Sequence, residues 1–274
     1  MLYLGADIGF FFLYHLVRYR RKVVRDNLVK SFPEKTPKEI KAIEKKFYHN
    51  FCDLFAETLK LRRMTTEQVL EHLTLVNPEL LNELYQKQKS VFLATQHSGN
   101  WEWFWHAQHT LSPHRHFAVY KKLESPYFDR LVFRLRTNFT DDKEVMIEDR
   151  QMKNVLDQIN GSVNAVLVLG DQSPRGAATD YWTGFLHRET CWYTGLEKLA
   201  KKYDYAVVYM EMTREHRGHY LVRFHQICEE PRTMGEGEIL EQYVRQVERS
   251  IKNSPDNWLW SHRRWKHTRK TEAS

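Results

Sequence analysis

The spacing of apolar and polar residues changes about a third of the way along the chain. Before that point the period is helical. Thr36-Pro37-Lys38-Glu39 reads as a capping box with proline at the first helical position, and Phe47, Phe51, Leu54, Phe55 and Leu61 follow at helical spacing. This predicts a helix from about 37 to 62. Thr65-Thr66-Glu67-Gln68 and Asn77-Pro78-Glu79 announce two shorter helices, the first carrying Val69, Leu70 and Leu73 and the second Leu80, Leu81 and Leu84. Beyond them the pattern turns to short apolar, β-rich runs at Val91–Thr95, Phe117–Tyr120, Ala165–Leu169, Ala206–Met212 and Tyr220–Ile227, which read as strands. Helical stretches near 101–110, 124–136, 150–159 and 190–203 lie between several of them. The expected fold class is therefore α/β, with a largely parallel central sheet flanked by helices and a helical N-terminal region. In such sheets ligands gather at the carboxyl ends of the strands, so the loops just after strands are the places to search.

The first residues carry a different pattern. Leu2–Val17 is mostly apolar but contains Asp7 and His15, and as a helix it would span roughly 24 Å, short of the roughly 30 Å hydrocarbon core of a bilayer. Arg18, Arg20, Arg21, Lys22 and Arg25 follow at once, a basic cluster suited to anionic headgroups while the preceding rings and leucines enter the acyl region. Basic residues after the apolar stretch, with no small-residue cleavage site beyond, do not suit a signal peptide. Residues 1–30 are thus expected to be a membrane-interfacial segment and 31–274 a single domain. An ordinary amphipathic helix closing the core is the alternative.

Composition narrows the choice of partner. In 274 residues, 42 Lys and Arg against 35 Asp and Glu leave a formal charge of +7, which favours an acidic partner such as nucleic acid, anionic lipid or an acidic carrier protein. No nucleic-acid reading motif accompanies the charge. Eight Trp, 14 Tyr and 15 Phe are more rings than an ordinary core of this size needs, and amphipathic rings suit membrane interfaces. Cys52, Cys191 and Cys228 lie far apart with no CxxC pairing, and the cluster His106, His109, His114 and His116 forms no convincing zinc-ligand set, so no metal and no cofactor are expected.

The candidate chemistry lies in the loop after the first strand. Gln96-His97-Ser98-Gly99-Asn100-Trp101-Glu102 puts a histidine at the strand end and a carboxylate five positions later, where a helix should start. A histidine can take a proton from an alcohol attacking a thioester, and a carboxylate on its other ring nitrogen fixes the tautomer. No protein nucleophile is evident, since Ser98 lacks the GxSxG context. Direct transfer to a substrate hydroxyl follows.

At this point the chain resembles the late acyltransferases of lipid A biosynthesis, lauroyl and myristoyl transferases within the lysophospholipid acyltransferase superfamily that carries a His-x4-Asp/Glu motif. The resemblance runs through Arg20–Leu28, Ser31-Phe32-Pro33, Glu57-Thr58, His97–Glu102, Val119-Tyr120-Lys121, Ser125-Pro126, Arg136, Asp149-Arg150, Gly170-Asp171-Gln172 and Trp258–Lys266. It implies a glycerolipid acyltransferase-like fold and a catalytic dyad of His97 and Glu102. It further implies that Arg136 contacts phosphate or the donor side, with Arg150 as a competing choice because no glycine follows Arg136, and that Asp171 and Gln172 line the acceptor pocket. Lys121 joins the substrate-binding set. The implied reaction moves a fatty-acyl chain from acyl carrier protein, or acyl-CoA, to a hydroxyl of a lipid A precursor or related glycolipid at the cytoplasmic face of a bacterial inner membrane. Trp101, Trp103, Phe104 and Trp105 would wall an acyl channel or fill the core. A lysophospholipid or amino-acid lipid acceptor, and a non-enzymatic basic membrane-binding module, remain as alternatives.

Overall fold

The computed structural model describes residues 2–140, 142, 145–174 and 181–269. Among them nine strands form: β1 Leu73–Leu75, β2 Val91–Thr95, β3 Arg115–Tyr120, β4 Met146–Glu148, β5 Asn164–Leu169, β6 Tyr181–Phe185, β7 Arg188–Trp192, β8 Ala206–His216 and β9 His219–Cys228. The helices are α1 Leu2–Phe11, α2 Arg21–Ser31, α3 Pro37–Lys60, α4 Thr66–Leu70, α5 Glu79–Gln86, α6 Trp101–Ala107, α7 Pro126–Arg136, α8 Met152–Ile159, α9 Gly195–Tyr203 and α10 Glu238–Asn253. Seven strands make one sheet in the order β1-β9-β8-β2-β5-β3-β4, parallel throughout except for the antiparallel β8–β9 pair. The α/β class with a mostly parallel sheet is as the pattern predicted.

Strand β2 shows why the centre reads as an unbroken apolar run. Val91 and Leu93 pack into the layer with α4, α5 and α6, while Phe92 and Ala94 pack into the opposite layer with α1, α2, α3, α9 and α10. Both faces are covered, so neither alternate position needs a polar side chain. The two capping boxes are present, Thr36 with Glu39 and Thr65 with Gln68.

Several elements differ from expectation. Leu73 opens β1 instead of closing α4. Residues 190–192, expected at the start of a helix, are the end of the β6–β7 hairpin, because Thr190, Cys191 and Trp192 pair with 181–183 and α9 begins only at Gly195. Strand β4 and helix α10 were not expected.

Helix α1 continues as a π-helix, Phe12–Val17, and buries Ala6, Phe10 and Tyr14 in the main core. Its outer side leaves Leu4, Ile8, Phe11, Phe12, Leu16 and Val17 exposed. The first segment thus both closes the core and presents an apolar face. No helix among the described residues is long and apolar enough to cross a membrane. Arg217, in the β8–β9 turn, holds α1 in place. It stacks on the Tyr3 ring at 4.5 Å, pairs with Asp7 at 2.5 Å and shares Asp53 of α3 with Arg214, at 2.7 and 2.6 Å.

Asp53 is buried and serves two guanidinium groups, so its loss leaves Arg214 largely buried without a counter-charge. Asp53→Ala is expected to lower the unfolding free energy by about 2–4 kcal/mol, at the low end of a broken buried pair because Arg217 still reaches water. The half-exposed Asp7→Ala control should cost about 0–1 kcal/mol. Urea denaturation of the two variants checks this, and equal midpoints would refute it.

Candidate active site

Strand β2 ends at Thr95, whose hydroxyl donates to the Met210 carbonyl at 2.7 Å. The loop then turns sharply at Gly99, φ +62°, where an added Cβ would lie 2.9 Å from the Met212 side chain, so the position requires glycine. Asn100 caps α6 by accepting from the Trp103 amide at 3.1 Å, and its own amide donates to Glu57 at 2.8 Å. Glu57 also accepts from Tyr220 at 2.6 Å and from Tyr3 of α1 at 2.9 Å. Burial raises the Glu57 carboxyl above its usual range, opposed by these hydrogen bonds. The histidine loop is therefore anchored to α3, to β9 and, through Tyr3, to the N-terminal helix.

His97 sits at the strand end with its side chain 18% exposed. The carboxylate on its ring is Asp171, at the end of the adjacent strand β5, 2.6 Å from Nδ1. The other Asp171 oxygen accepts from the His97 amide at 3.1 Å and from the Trp258 indole at 2.7 Å. Burial alone would raise the Asp171 carboxyl, but the His97 charge and these hydrogen bonds hold it below its usual range. With Nδ1–H donating to Asp171, the Nε2 lone pair is left to accept, and the Gln172 amide nitrogen lies 3.2 Å from it. The tail closes the site from above: Ser98 bridges Trp258, and the Leu259 amide donates to the His97 carbonyl at 3.0 Å.

Glu102 is not the group that orients His97. Its helix turn aims the carboxylate at Arg136, which donates to both oxygens at 2.8 and 2.5 Å, while the Trp101 indole donates at 3.1 Å. Burial pushes the Glu102 carboxyl up, and Arg136 outweighs it, leaving the group below its usual range. Trp101 joins the two pairs, with its ring edge-on to His97 at 5.0 Å.

Of the expected site residues, the structure brings together His97, Asp171 and Gln172, and sets Glu102 with Arg136 beside them. Lys121 and Arg150 follow β3 and β4 on the same crest of the sheet, but two and three strands from β2, roughly 10 and 14 Å at ordinary strand spacing, and both are exposed. Trp103, Phe104 and Trp105 are core. Trp101 alone of the four aromatics lines the crevice beside His97, together with Asn50, Phe51, Arg214, Tyr220 and Asp256 among others. That crevice holds about 20 Å³, room for little more than a water-sized group. Asn50 and Arg214 were not anticipated. Their signal was slight: a lone amide on an amphipathic helix and an arginine near a strand end. In the histidine cluster, Ser112 ties His114 to His116, and His106 and His109 pack on Phe139.

A sequence profile of the family described as bacterial lipid A biosynthesis acyltransferase matches residues 2–267, nearly the whole chain. No curated protein matches.

Burial depresses His106, His116 and His262 to about 4. The unfolded chain takes up these protons near pH 6.5 and the folded chain does not, so stability falls as pH drops from about 6.5 towards 4. Asp171 and Glu102, depressed carboxylates, keep their contribution until the pH falls below the ordinary carboxylate range. Denaturation midpoints should therefore drop between pH 7 and pH 5. His106→Phe, which replaces a ring whose nitrogens have no hydrogen-bond partner, should flatten that drop. A flat profile in the parent protein would contradict the assignment.

Proposed function

The chain belongs to the bacterial lipid A biosynthesis acyltransferase family, and from that premise we propose that it transfers a fatty-acyl group from an acyl carrier protein or acyl-CoA thioester to a hydroxyl of a lipid A precursor or related glycolipid. The observation that carries this reading is the His97–Asp171 pair at the strand end, with Nε2 turned away from Asp171 and a hydroxyl-sized crevice beside the ring.

In the proposed step, Nε2 of His97 accepts the acceptor hydroxyl proton as the oxygen attacks the thioester carbonyl carbon. The tetrahedral intermediate then collapses, the C–S bond breaks, and the thiolate leaves with the proton held on His97. Asp171 keeps the ring in the Nδ1–H tautomer and stabilises the imidazolium that forms. Arg214, the cation on the crevice wall, supplies positive charge towards the oxyanion or the acceptor phosphate. Glu102 and Arg136 act as a buried ion pair that fixes the first turn of α6 and Trp101. Gln172 positions the ring from the Nε2 side. Lys121 and Arg150, exposed along the crest, lie where a phosphate-bearing headgroup or an acidic carrier would pass.

Residues 1–30 serve as the membrane-contacting segment and 31–274 as the acyltransferase domain. The exposed apolar side chains of α1 and the following basic cluster suit a peripheral position at the cytoplasmic face of the inner membrane.

Acyl transfer from labelled acyl carrier protein to a tetra-acylated lipid A precursor tests the reading. His97→Ala should lower kcat by about 10²–10⁴-fold, and Asp171→Asn, which reverses the tautomer preference, by up to about 10⁴-fold. Glu102→Gln should act chiefly through stability, costing about 3–5 kcal/mol as Arg136 loses its counter-charge. If Asp171→Asn retains full turnover while folded Glu102→Gln abolishes it, the roles of the two carboxylates are reversed. A lysophospholipid arm in the same assay separates the acceptor classes.

A further inference from the structure

Between α1 and the second half of α3 the surface opens into an apolar groove of about 860 Å³. One side is Gly5, Ala6, Gly9 and Leu13, and the other is Phe51, Phe55 and Leu59. A Cβ built on Gly5 or Gly9 meets no heavy atom within 4 Å, so the groove is open at these positions because the side chains are missing. From Leu2 to Leu13 it runs about 16 Å along the helix. Phe51 lines both this groove and the crevice beside His97.

Resting on the acyltransferase reading above, we propose that the groove is a binding site for an acyl chain of the acceptor glycolipid, holding that chain while its hydroxyl lies at His97. Three features identify an alkyl chain of a membrane lipid as the occupant. The walls are apolar, the lining Phe55 and Leu59 are exposed, and α1 exposes Leu4 and Ile8 as well. The groove is open along its side, so a chain already in the bilayer can enter laterally without crossing water, whereas a chain delivered from a soluble carrier needs an enclosed cavity to stay dry. Charge also matches. Tyr19 lines the end shared with Phe51 and is flanked by Arg18 and Arg20, which suit an anionic headgroup, while Lys60 and Arg63 line the far end, where long apolar stems can cover a chain with the charges held in water.

Gly9→Leu fills the groove from a position with free space and improves helix propensity, so the fold is retained, and the thermal midpoint verifies it. The probe is a glycolipid acceptor carrying a diazirine at the end of one acyl chain, mixed with the protein and photolysed. Labelling should fall on peptides covering 2–17 and 51–63, drop about tenfold in Gly9→Leu, the equivalent of about two buried methylenes, and persist in His97→Ala. Acceptor KM in the same variant should rise by a similar factor with the donor chain-length preference unchanged. Labelling elsewhere, labelling indifferent to Gly9→Leu, or a shifted donor preference each overturns the proposal. Failure of the parent protein to turn over the probe while labelling it at α1 and α3 would instead count against the acyltransferase reading.

Discussion

The arrangement around His97 depends on keeping one carboxylate charged where there is almost no water. Asp171 is 2% exposed as a side chain, and burial on its own would drive it neutral. It stays charged because three donors converge on its two oxygens: the His97 ring, the His97 amide and the Trp258 indole. Those donors come from β2 and from the C-terminal tail, while Asp171 follows β5. The parallel β2–β5 pairing, Val91 to Ala165 through Thr95 to Leu169, sets the distance between the two strand ends. A shift of register by one residue would turn the carboxylate to the other face and leave it unpaired. The cost of a buried, unsatisfied charge thus ties the position of the His97 ring to the register of the sheet and to the docking of the tail.

The second buried carboxylate is managed differently, and the difference separates its role from that of Asp171. Glu102 is neutralised by a bidentate guanidinium, an arrangement with rigid geometry and little capacity to take or give a proton. Asp171 is paired with an imidazole, whose charge can change. One pair is a strut and the other can respond to chemistry. Because Trp101 hydrogen-bonds Glu102 and packs edge-on to His97, the strut still reaches the reacting centre, so a variant at either carboxylate disturbs the same ring through different routes.

These physical features explain which parts were legible in the sequence. Strands β2, β3, β5 and β8 stood out because burial on both faces demands runs such as Val-Phe-Leu-Ala, and β9 because its Tyr220, Val222 and Phe224 alternate with less buried positions. Strand β4 has only three residues, and the β6–β7 hairpin, largely half-buried, has no apolar run to reveal it. Helix α10 carries a clear stripe, Ile239, Leu240, Tyr243, Val244, Val247 and Ile251, but begins on Gly237 at φ +78° with no side-chain cap, so the usual start signal is missing. At the site, His97 was legible from its place after a strand. Its partner was not, because Glu102 is five residues away in sequence and Asp171 is 74, and only the sheet makes the distant one the neighbour. Family resemblance brought Asp171 and Gln172 into view, but as pocket lining; tautomer control requires the geometry.

The N-terminal segment shows how one helix can satisfy two solvents. Its inward residues Ala6, Phe10 and Tyr14 are core, and its polar contacts, Tyr3 to Glu57 and Asp7 to Arg217, lock it to α3 and to the β8–β9 turn. The buried Ala6, Phe10 and Tyr14 are costly to expose, so α1 is a fixed wall and not a tether. A fixed wall with glycines at Gly5 and Gly9 leaves a gap that the protein's own side chains do not fill, and in water such a gap is a standing exposure of Phe55 and Leu59. A hydrocarbon environment removes that cost. The same Tyr3–Glu57–Asn100 chain that fixes α1 also fixes the loop bearing His97. The apolar face of α1 and the loop bearing His97 are therefore held in one frame, so a lipid seated against the first, as proposed, would reach the second at a set depth.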